Sequence, residues 1–285
     1  MYELARAKNM RTAVGHEYHY EPAALQMAEM VRDGYIGRPL TFNITYFVSN
    51  YIAPRPSHRQ WLFQAEMGGH PGYRSGHSLE RVTSILGRDI DKICAELAVL
   101  VPERANLDGG EPIRSNQVEN MNYLLRTQDG VIGTMQVSFT AWFGTGSRFE
   151  LYGSDGMLML DTVDLLNWDK KTGQGDPPRG ELRLFGAHAD LARMIADPIA
   201  PERLERRFTE IPLDDKHIAV KGIDRGRATF LVAQTWTAFH KAIGEGRDSA
   251  PSFRDELKIH CVWDATEKSM AEERWIKVDY SGVGR

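Results

Sequence analysis

The sequence predicts an α+β fold, in which a large, mixed but antiparallel-rich sheet carries helices on one face. Two observations lead to this prediction. Segments in which apolar and polar residues alternate, a pattern typical of half-buried strands, occupy the middle of the chain. Segments with apolar residues at helical spacing lie toward the two ends. Strands gathered in the middle and helices at the ends favour helices layered on a sheet.

The first elements are a short helix and strand followed by a longer helix. Residues 2–8 resemble the end of a helix, and residues 12–14 resemble a short buried strand. Pro22 and Gly34 suit the start and the end of the next helix. Residues 40–48 then alternate as a strand. The opening helix and strand have two interpretations: the last step of an α/β unit, or a frayed helix on a complete domain.

The middle of the chain is predicted to hold a glycine-rich loop, one helix and several strands. Glycines crowd residues 68–76, so the backbone there turns tightly or approaches another group closely. A helix is predicted over 78–87 and a strand over 93–99. Asp-Gly at 129–130 and Gly-Ser-Asp-Gly at 153–156 each lie between apolar-alternating segments and predict hairpins.

Two long helices and a final strand are predicted near the C-terminus. Residues 170–226 are weakly patterned and rich in charge, which indicates surface excursions between short strands. Helices are predicted over 229–243 and 252–274, and a strand over 275–278. The first helix carries Val232, Trp236, Phe239 and Ile243, and the second is predicted to pack through Leu257, Cys261 and Ala265.

Composition excludes several classes of protein. The 285 residues include 35 basic and 39 acidic side chains, a net charge of −4, so no basic excess points to nucleic acid. Two cysteines, Cys94 and Cys261, are too few for a disulfide scaffold or a four-cysteine zinc site. No apolar stretch is long enough to cross a bilayer, and the N-terminus lacks a signal-peptide core. We therefore expect a cytoplasmic protein without nucleic-acid or membrane partners.

The chain lacks the short motifs that bind nucleotides. None of its four Gly-x-Gly pairs continues into G-x-G-x-x-G, and it has no phosphate-binding P-loop. The metalloprotease motif H-E-x-x-H and the hydrolase motif G-x-S-x-G are also absent. The sequence alone therefore contains no recognisable nucleotide cradle.

Two segments gather the polar residues that could carry chemistry. GHEYHYEP, at 15–22, follows the first predicted strand, the position where open α/β sheets place ligands; an interdomain hinge is the alternative. GGHPGYRSGHSLE, at 68–80, contains His77, which can exchange a proton near neutral pH, one helical turn before Glu80. Alternatively, His77 is a helix-start histidine bonded to backbone, or joins His70 and Glu80 at a metal site of a lyase or hydrolase.

In their order along the chain, these segments resemble the Gfo/Idh/MocA family of NAD(P)-dependent oxidoreductases. YELARAK followed by AVGHEYHYEPA is similar to that family's last Rossmann helix and strand running into its second domain. GGHPGYRSGHSLERVTSILG is similar to its glycine-rich segment with the pattern D-x-G-x-H-x-x-D. DGVIGTMQVSF, FELYGSDGMLML and PSFRDELKIHCVWDATEKSM resemble its later strands and closing helix. The resemblance covers almost the whole chain.

The resemblance implies two parts of unequal size. Residues 1–16 would be a remnant of the nucleotide-binding Rossmann domain, and residues 17–285 the C-terminal substrate-binding and oligomerisation domain. The family's G-x-G-x-x-G region and its E-K-P motif, which carries the usual catalytic lysine, would lie before Met1. We therefore expect a truncated or split form without its own complete cofactor site, so NAD or NADP is implied but is not expected to bind this chain alone.

The resemblance also implies a reaction and a set of site residues. The reaction is hydride transfer between a nicotinamide ring and a hydroxyl-bearing carbon of a sugar, cyclitol or related polyol. His77 would be the catalytic acid/base. Tyr73, in place of the usual aspartate, would orient the substrate, since a tyrosine pKa of about 10 makes a poor base at neutral pH. The implied substrate-binding residues are Tyr18, His19, Trp61 and Arg74.

The sequence departs from the family pattern at several of these positions. Ser75 replaces a glycine, Glu80 provides the last acid, and His19 stands where an arginine often precedes the aromatic residue. A catalytically silent binding or assembly module derived from the family is therefore the alternative to an enzyme. In either case we expect a homo-oligomer formed through the face of the sheet.

Overall fold

The computed structural model describes most of the chain. The described residues are 1–49, 51–52, 54, 56–68, 74–162, 181–188 and 209–284.

Within these residues, nine strands form one sheet in the order β10-β9-β8-β7-β1-β6-β5-β2-β11, and β3 and β4 pair separately. Strand β1 runs parallel to β6, and every other neighbouring pair in the sheet is antiparallel. The predicted mixed, antiparallel-rich sheet is therefore confirmed. The strands are β1 Pro39–Phe47, β2 Ile90–Ala98, β3 Glu103–Arg104, β4 Ile113–Arg114, β5 Asn120–Thr127, β6 Ile132–Ser138, β7 Gly146–Gly153, β8 Gly156–Asp161, β9 Arg183–His188, β10 Thr209–Glu210 and β11 Ile276–Lys277.

The helices pack on one face of this sheet. They are α1 Tyr2–Ala7, α2 Pro22–Arg32, α3 Ala65–Gly68, α4 Gly76–Leu86, α5 Ala228–Gly244 and α6 Phe253–Glu272, with 3-10 turns at Glu17–Tyr20, Ser57–Phe63 and Asp215–His217. Buried side chains of α2, α4 and α6 join the sheet in one apolar core, for example Met27, Val82 and Val262. No helix in the described ranges combines the length and the apolarity needed to cross a membrane.

Register explains why one face of the sheet is apolar. Ile44 of β1 lies opposite Met135 of β6 and Phe149 of β7, and all three are buried. Their sequence neighbours point to the other face, because side chains alternate along a strand. That second face, which the described helices leave open, carries Leu124, Ile132 and Tyr152 as exposed apolar residues among polar ones such as Asn43, Asn122, Thr134, Gln136 and Glu150.

The predicted strand at 12–14 is wrong. Residues 12–14 are extended but lie outside the sheet, and their backbone partners come from the loop between α5 and α6. The Thr12 amide donates to Asp248 Oδ1 over 2.7 Å, and the Val14 amide donates to the Pro251 carbonyl over 2.8 Å. The amides of Thr12 and Val14 are thus hydrogen-bonded without a neighbouring strand.

The long C-terminal helices form as predicted but turn partly different faces inward. On α5, Val232, Trp236 and Ile243 are between 47% and 66% exposed. On α6, Leu257 and Cys261 are only partly buried. Ala265 of α6 is buried as predicted, and it is joined in the core by Ile259, Val262 and Trp263. The buried apolar side chains of α5 are Phe230, Leu231 and Ala242. Much of the predicted surface region 170–226 lies outside the described residues, and its described parts include strand β9 and the short edge strand β10.

Candidate functional site

The two polar segments of the sequence meet where α4 begins. The 3-10 turn Glu17–Tyr20 packs against this helix start, and the first turns of α6 close the site from behind. Gly76 allows the close approach, because a Cβ there would lie 3.0 Å from Trp263 Cζ2 and 3.3 Å from His16 Cε1. The glycine-rich loop therefore serves, at this position, to bring His16 and Trp263 against the helix.

His77 lies at the centre of this cluster, in the first turn of α4. Its ring meets the rings of Tyr18 and His16 edge to face, with centroids 4.8 and 4.9 Å apart. The His77 Nδ1 atom is 3.1 Å from Nδ1 of His16, and its Nε2 atom is 3.9 Å from Oε2 of Glu17. The side chain is 40% exposed, so a ligand can reach it.

His16 connects His77 to the C-terminal helix. Its Nε2 atom lies 2.6 Å from Oε2 of Glu256, and the side chain is almost fully buried. Burial lowers the pKa of His16, but the hydrogen bond to Glu256 and the charges of Glu256, Glu80 and Glu17 raise it by more, so its net pKa lies above the ordinary 6.5. Glu256 also lies near the exposed His260, with 3.5 Å between Oε1 and Nε2.

His19 pairs with Glu80 on the other side of the cluster. His19 Nδ1 is 2.6 Å from Glu80 Oε1, and the Glu80 carboxylate is buried. Its second oxygen, Oε2, has no hydrogen-bond partner in the described part of the chain. A buried carboxylate oxygen without a partner is costly, and such atoms are common where a protein binds polar ligands or water. Glu80 can therefore accept one more hydrogen bond.

Arg81 connects this cluster to the sheet and to α2. It donates to Glu21 Oε2 over 2.9 Å and to Ser147 Oγ over 3.2 Å, and its guanidinium lies 5.6 Å from the centre of the Tyr18 ring. A cleft of about 260 Å³ opens beside it between α2 and α4. The cleft is lined by Tyr18, His19, Ala24, Leu25, Ala28, Glu29, Arg32, Arg81, Ser84 and His217.

The structure brings together three of the six predicted site residues, Tyr18, His19 and His77. Tyr73 lies outside the described residues, as does His70 of the metal alternative. Trp61 is on the 3-10 turn Ser57–Phe63 with its side chain 47% exposed.

Arg74 is held by the neighbouring loops. Its guanidinium lies 4.1 Å from the centre of the Tyr51 ring and donates to the Leu62 carbonyl, and the residue is buried. These contacts anchor the segment that leads into α4. Contact of Arg74 with a substrate stays a prediction.

Three residues of the cluster were not predicted from the sequence. His16 lies in the polar segment GHEYHYEP, so the sequence could have indicated it as a site residue. Arg81 follows Glu80 in the second segment and contacts Glu21 of the first. Glu256 offered no local signal, because it lies 240 residues from His16 on an ordinary amphipathic helix.

The N-termini of helices α6 and α2 carry residues that disfavour the binding of a dinucleotide. The first turn of α6 is closed by a capping box of Ser252 and Asp255 and also carries Glu256, and α2 begins at Glu21-Pro22 with the Glu21 carboxylate on Arg81. Carboxylates repel a pyrophosphate, and a proline lacks the N–H that would bind one. Neither start fits the coenzyme. Among the described residues, no group of three His, Cys, Asp or Glu side chains could hold a metal ion.

The chain is similar in sequence to several dehydrogenases. Levoglucosan dehydrogenase of Pseudarthrobacter phenanthrenivorans is 24% identical over 303 residues, which cover 98% of this chain and 69% of that protein. Myo-inositol 2-dehydrogenase of Thermotoga maritima is 25% identical over 185 residues, which cover 65% of this chain and 51% of that protein. Inositol 2-dehydrogenase of Rhizobium meliloti is 23% identical over 265 residues, which cover 93% of this chain and 64% of that protein.

Solved structures share the fold. Levoglucosan dehydrogenase in complex with NADH and levoglucosan superposes with a TM-score of 0.72 at 24% identity, over 98% of this chain and 68% of that one. A super-repressor mutant of Gal80p from Saccharomyces cerevisiae superposes with a TM-score of 0.71 at 13% identity, over 98% of this chain and 68% of that one. Residues 24–159 match the model of the GFO/IDH/MocA C-terminal domain. Over residues 24–159 the chain is therefore similar to the C-terminal domain of the Gfo/Idh/MocA family, the family that the sequence motifs resemble.

Proposed function

We propose that this chain is the substrate-binding and acid–base part of an NAD(P)-dependent oxidoreductase that acts on a sugar, cyclitol or related polyol. The single observation that carries this proposal is the cluster around His77, in which a half-exposed imidazole at a helix start is surrounded by Tyr18, His16, His19 and Glu80. These side chains supply both hydrogen-bond donors and hydrogen-bond acceptors, which suit a ligand rich in hydroxyl groups. The sequence relatives named levoglucosan and inositol dehydrogenases support the same substrate class.

The residues of the chain have distinct roles in this proposal. His77 accepts the proton of the substrate hydroxyl at Nε2 and returns it in the reverse direction, as an imidazole can in general acid–base catalysis. Tyr18 and His19 line the substrate side, and Tyr73 donates a hydrogen bond that orients the substrate. Trp61 and Arg74 complete the proposed substrate contacts.

The coenzyme is held elsewhere in this proposal. When bound, a nicotinamide coenzyme would accept or donate the hydride, and NAD and NADP are both compatible with the proposal. We assign residues 1–16 to the end of the nucleotide-binding unit and residues 17–285 to the substrate-binding domain. In this proposal the 285 residues do not form a complete cofactor site by themselves. The missing G-x-G-x-x-G and the acidic start of α6 support this proposal.

Binding measurements on the purified chain test both halves of the proposal. We expect levoglucosan, L-sorbose or myo-inositol to bind saturably and to shift the imidazole resonances of His77 in ¹H–¹⁵N spectra. We expect no binding of NAD⁺, NADH, NADP⁺ or NADPH at micromolar concentration in calorimetry. A polyol panel that leaves the His77 resonances unchanged would contradict the assignment of the site, and a micromolar coenzyme affinity would contradict the incomplete cofactor site.

A catalytically silent binding or assembly module is the second candidate, and it is compatible with the fold that the chain shares with Gal80p, a protein named as a repressor. The two candidates differ at His77, because a silent module has no need of a titrating imidazole in contact with its ligand. If a polyol binds with the same affinity to the protein and to a His77→Ala variant, and no preparation oxidises it, the silent module is the better description. In both cases we place the protein in the cytoplasm as a homo-oligomer.

A further inference from the structure

We propose that His16 and Glu256 form a proton relay behind His77. In this relay His16 takes the Nδ1 proton of His77 while His77 takes a proton from the substrate hydroxyl, and the Glu256 carboxylate stabilises the imidazolium that results at His16. The inference deepens the proposed function and rests on it for the identity of the substrate. It adds to His77 two residues that no substrate touches.

The three side chains lie in line from the surface to the interior. His77 is 40% exposed, whereas the His16 side chain is only 9% exposed. The two Nδ1 atoms are 3.1 Å apart, and the opposite nitrogen of His16 is 2.6 Å from Glu256. Each distance is within hydrogen-bond range. The relay therefore begins at an imidazole that a ligand can reach and ends at a carboxylate on α6.

These contacts determine which nitrogen atom of each imidazole carries a proton. An ionised Glu256 can only accept, so Nε2 of His16 carries a proton and donates it to Glu256. A neutral His16 then has an unprotonated Nδ1, which accepts a hydrogen bond from the Nδ1–H of His77. His77 is left with an unprotonated Nε2. The relay thus holds His77 in the tautomer that acts as a base at Nε2, the nitrogen 3.9 Å from Oε2 of Glu17.

The proposed step moves two protons and changes no oxidation state. The substrate O–H bond breaks, the oxygen keeps the electron pair, and an N–H bond forms at His77 Nε2. The His77 Nδ1–H bond breaks and its proton passes to Nδ1 of His16. His16 becomes an imidazolium that still donates its Nε2–H to Glu256. In the reverse direction, His77 returns the Nε2 proton to the substrate oxygen as His16 returns its own to His77.

The surroundings favour the charge that the relay creates. The groups facing His16 are Glu256 from α6, Glu80 and His77 from α4, and Glu17 from the adjacent 3-10 turn. Three of these four are carboxylates, and their combined effect on the pKa of His16 outweighs the effect of burial. These carboxylates therefore stabilise an imidazolium at His16.

The relay can be tested on the chain itself, without substrate or coenzyme. Long-range ¹H–¹⁵N spectra of protein labelled at histidine distinguish the two tautomers of each imidazole. Above the pH at which both rings are neutral, we expect His77 as the Nδ1–H tautomer and His16 as the Nε2–H tautomer. His77 found as the Nε2–H tautomer would overturn the proposal.

A Glu256→Gln variant tests the charged end of the relay. We expect the proton affinity of His16 to fall by roughly tenfold or more, because the amide cannot stabilise an imidazolium as a carboxylate does. Asp264→Asn is the matched control, since it removes the same charge from an exposed position of α6. An unchanged His16 titration in Glu256→Gln would refute the relay.

If Glu256→Gln fails to fold, a His16→Phe variant gives a second test. Without an acceptor at the position of His16 Nδ1, His77 should lose its preference for the Nδ1–H tautomer. A His77 that keeps this tautomer beside phenylalanine contradicts the relay. Neither variant is measured with substrate. A negative result for the relay therefore leaves polyol binding at His77 untouched, and a negative result for polyol binding leaves the relay untouched.

Discussion

Among single residues, His77 is the one whose removal has the most specific expected effect. We expect His77→Ala to lower kcat for polyol oxidation by roughly 10²–10⁴-fold, the usual contribution of one acid/base group. The thermal unfolding midpoint should change little, because the side chain is 40% exposed and alanine is compatible with the first turn of a helix. Steady-state kinetics of a preparation that turns over a polyol, with His240→Ala as an exposed-histidine control, would measure this effect. Unchanged turnover would show that the role of His77 is structural.

His16 should make the stability of the protein depend on pH. Its pKa is raised in the folded state above the ordinary 6.5, so its interaction with Glu256 stabilises the fold fully below that pH. This contribution is lost as the pH rises through the folded-state pKa. The free energy of unfolding should therefore differ between the protein and His16→Gln by more at pH 5.5 than at pH 9. The difference should be on the order of 1–3 kcal/mol, typical of a hydrogen bond to a charged group.

Urea unfolding at these two pH values measures the difference. Exposed His240→Gln is the control, and its effect on stability should be the same at both pH values. A His16→Gln penalty that grows as the pH rises would contradict the sign of the pKa shift.

The sequence was informative for those site residues that lie within its two polar segments. The proximity of Tyr18, His19 and His77 could be predicted from the resemblance of both segments to one family, although the strand predicted before the first segment does not form. Glu256 could not, since nothing in the local pattern of α6 distinguishes a carboxylate that faces a buried histidine from one that faces solvent. The burial of Arg74 was equally hidden, because it depends on Tyr51 in a distant loop.

For helix α4, Gly76 is the residue whose substitution is expected to disturb the site without removing any polar group. A Cβ at this position would lie within 3.0–3.3 Å of Trp263 and His16, so Gly76→Ala should displace both side chains. We expect a loss of about 1–3 kcal/mol, the usual cost of overpacking. The His16 and His77 resonances should also shift.

Gly244→Ala is the matched control for this prediction. Gly244 ends α5 with nothing within 4 Å of the position of a Cβ, so alanine there should be neutral or slightly stabilising. Thermal unfolding of both variants checks the contrast. Equal stability of the two would mean that the site tolerates the extra methyl group.

Helices and hairpins were largely predictable as elements, whereas the faces of the C-terminal helices were not. The alternation in β5, β6 and β7 follows directly from one buried and one open face of the sheet. On α5, however, Val232, Trp236 and Ile243 are exposed and Phe230 and Leu231 are buried. The spacing of apolar residues identifies an apolar stripe on a helix. When a helix has apolar residues on two sides, the spacing cannot say which side is buried.

In the whole molecule, the open face of the sheet is the feature with a testable consequence. Leu124, Ile132 and Tyr152 are exposed there, and clustered exposed apolar residues often mark association sites. We expect the protein to be an oligomer through this face, and Ile132→Glu to shift it toward the monomer. Val232→Glu, at an equally exposed apolar position on α5, should not change the mass.

Light scattering at several protein concentrations measures the mass of each variant. A monomer at every concentration would contradict association through any face. A monomer produced by Val232→Glu alone would move the interface from the sheet to α5.

The long-range pairing of the N-terminal segment has a consequence for how the protein is made. His16 contacts a residue 240 positions later, Thr12 contacts one 236 positions later, and β1 pairs with β6 and β7, which follow it at a distance. During translation the first residues leave the ribosome long before their partners are synthesised. Contacts this distant in sequence are slow to form and leave apolar strands exposed in the meantime. The site around His77 is therefore assembled only at the end of synthesis, when α6 emerges, and a nascent chain that stops before α6 has its polar residues but not their arrangement.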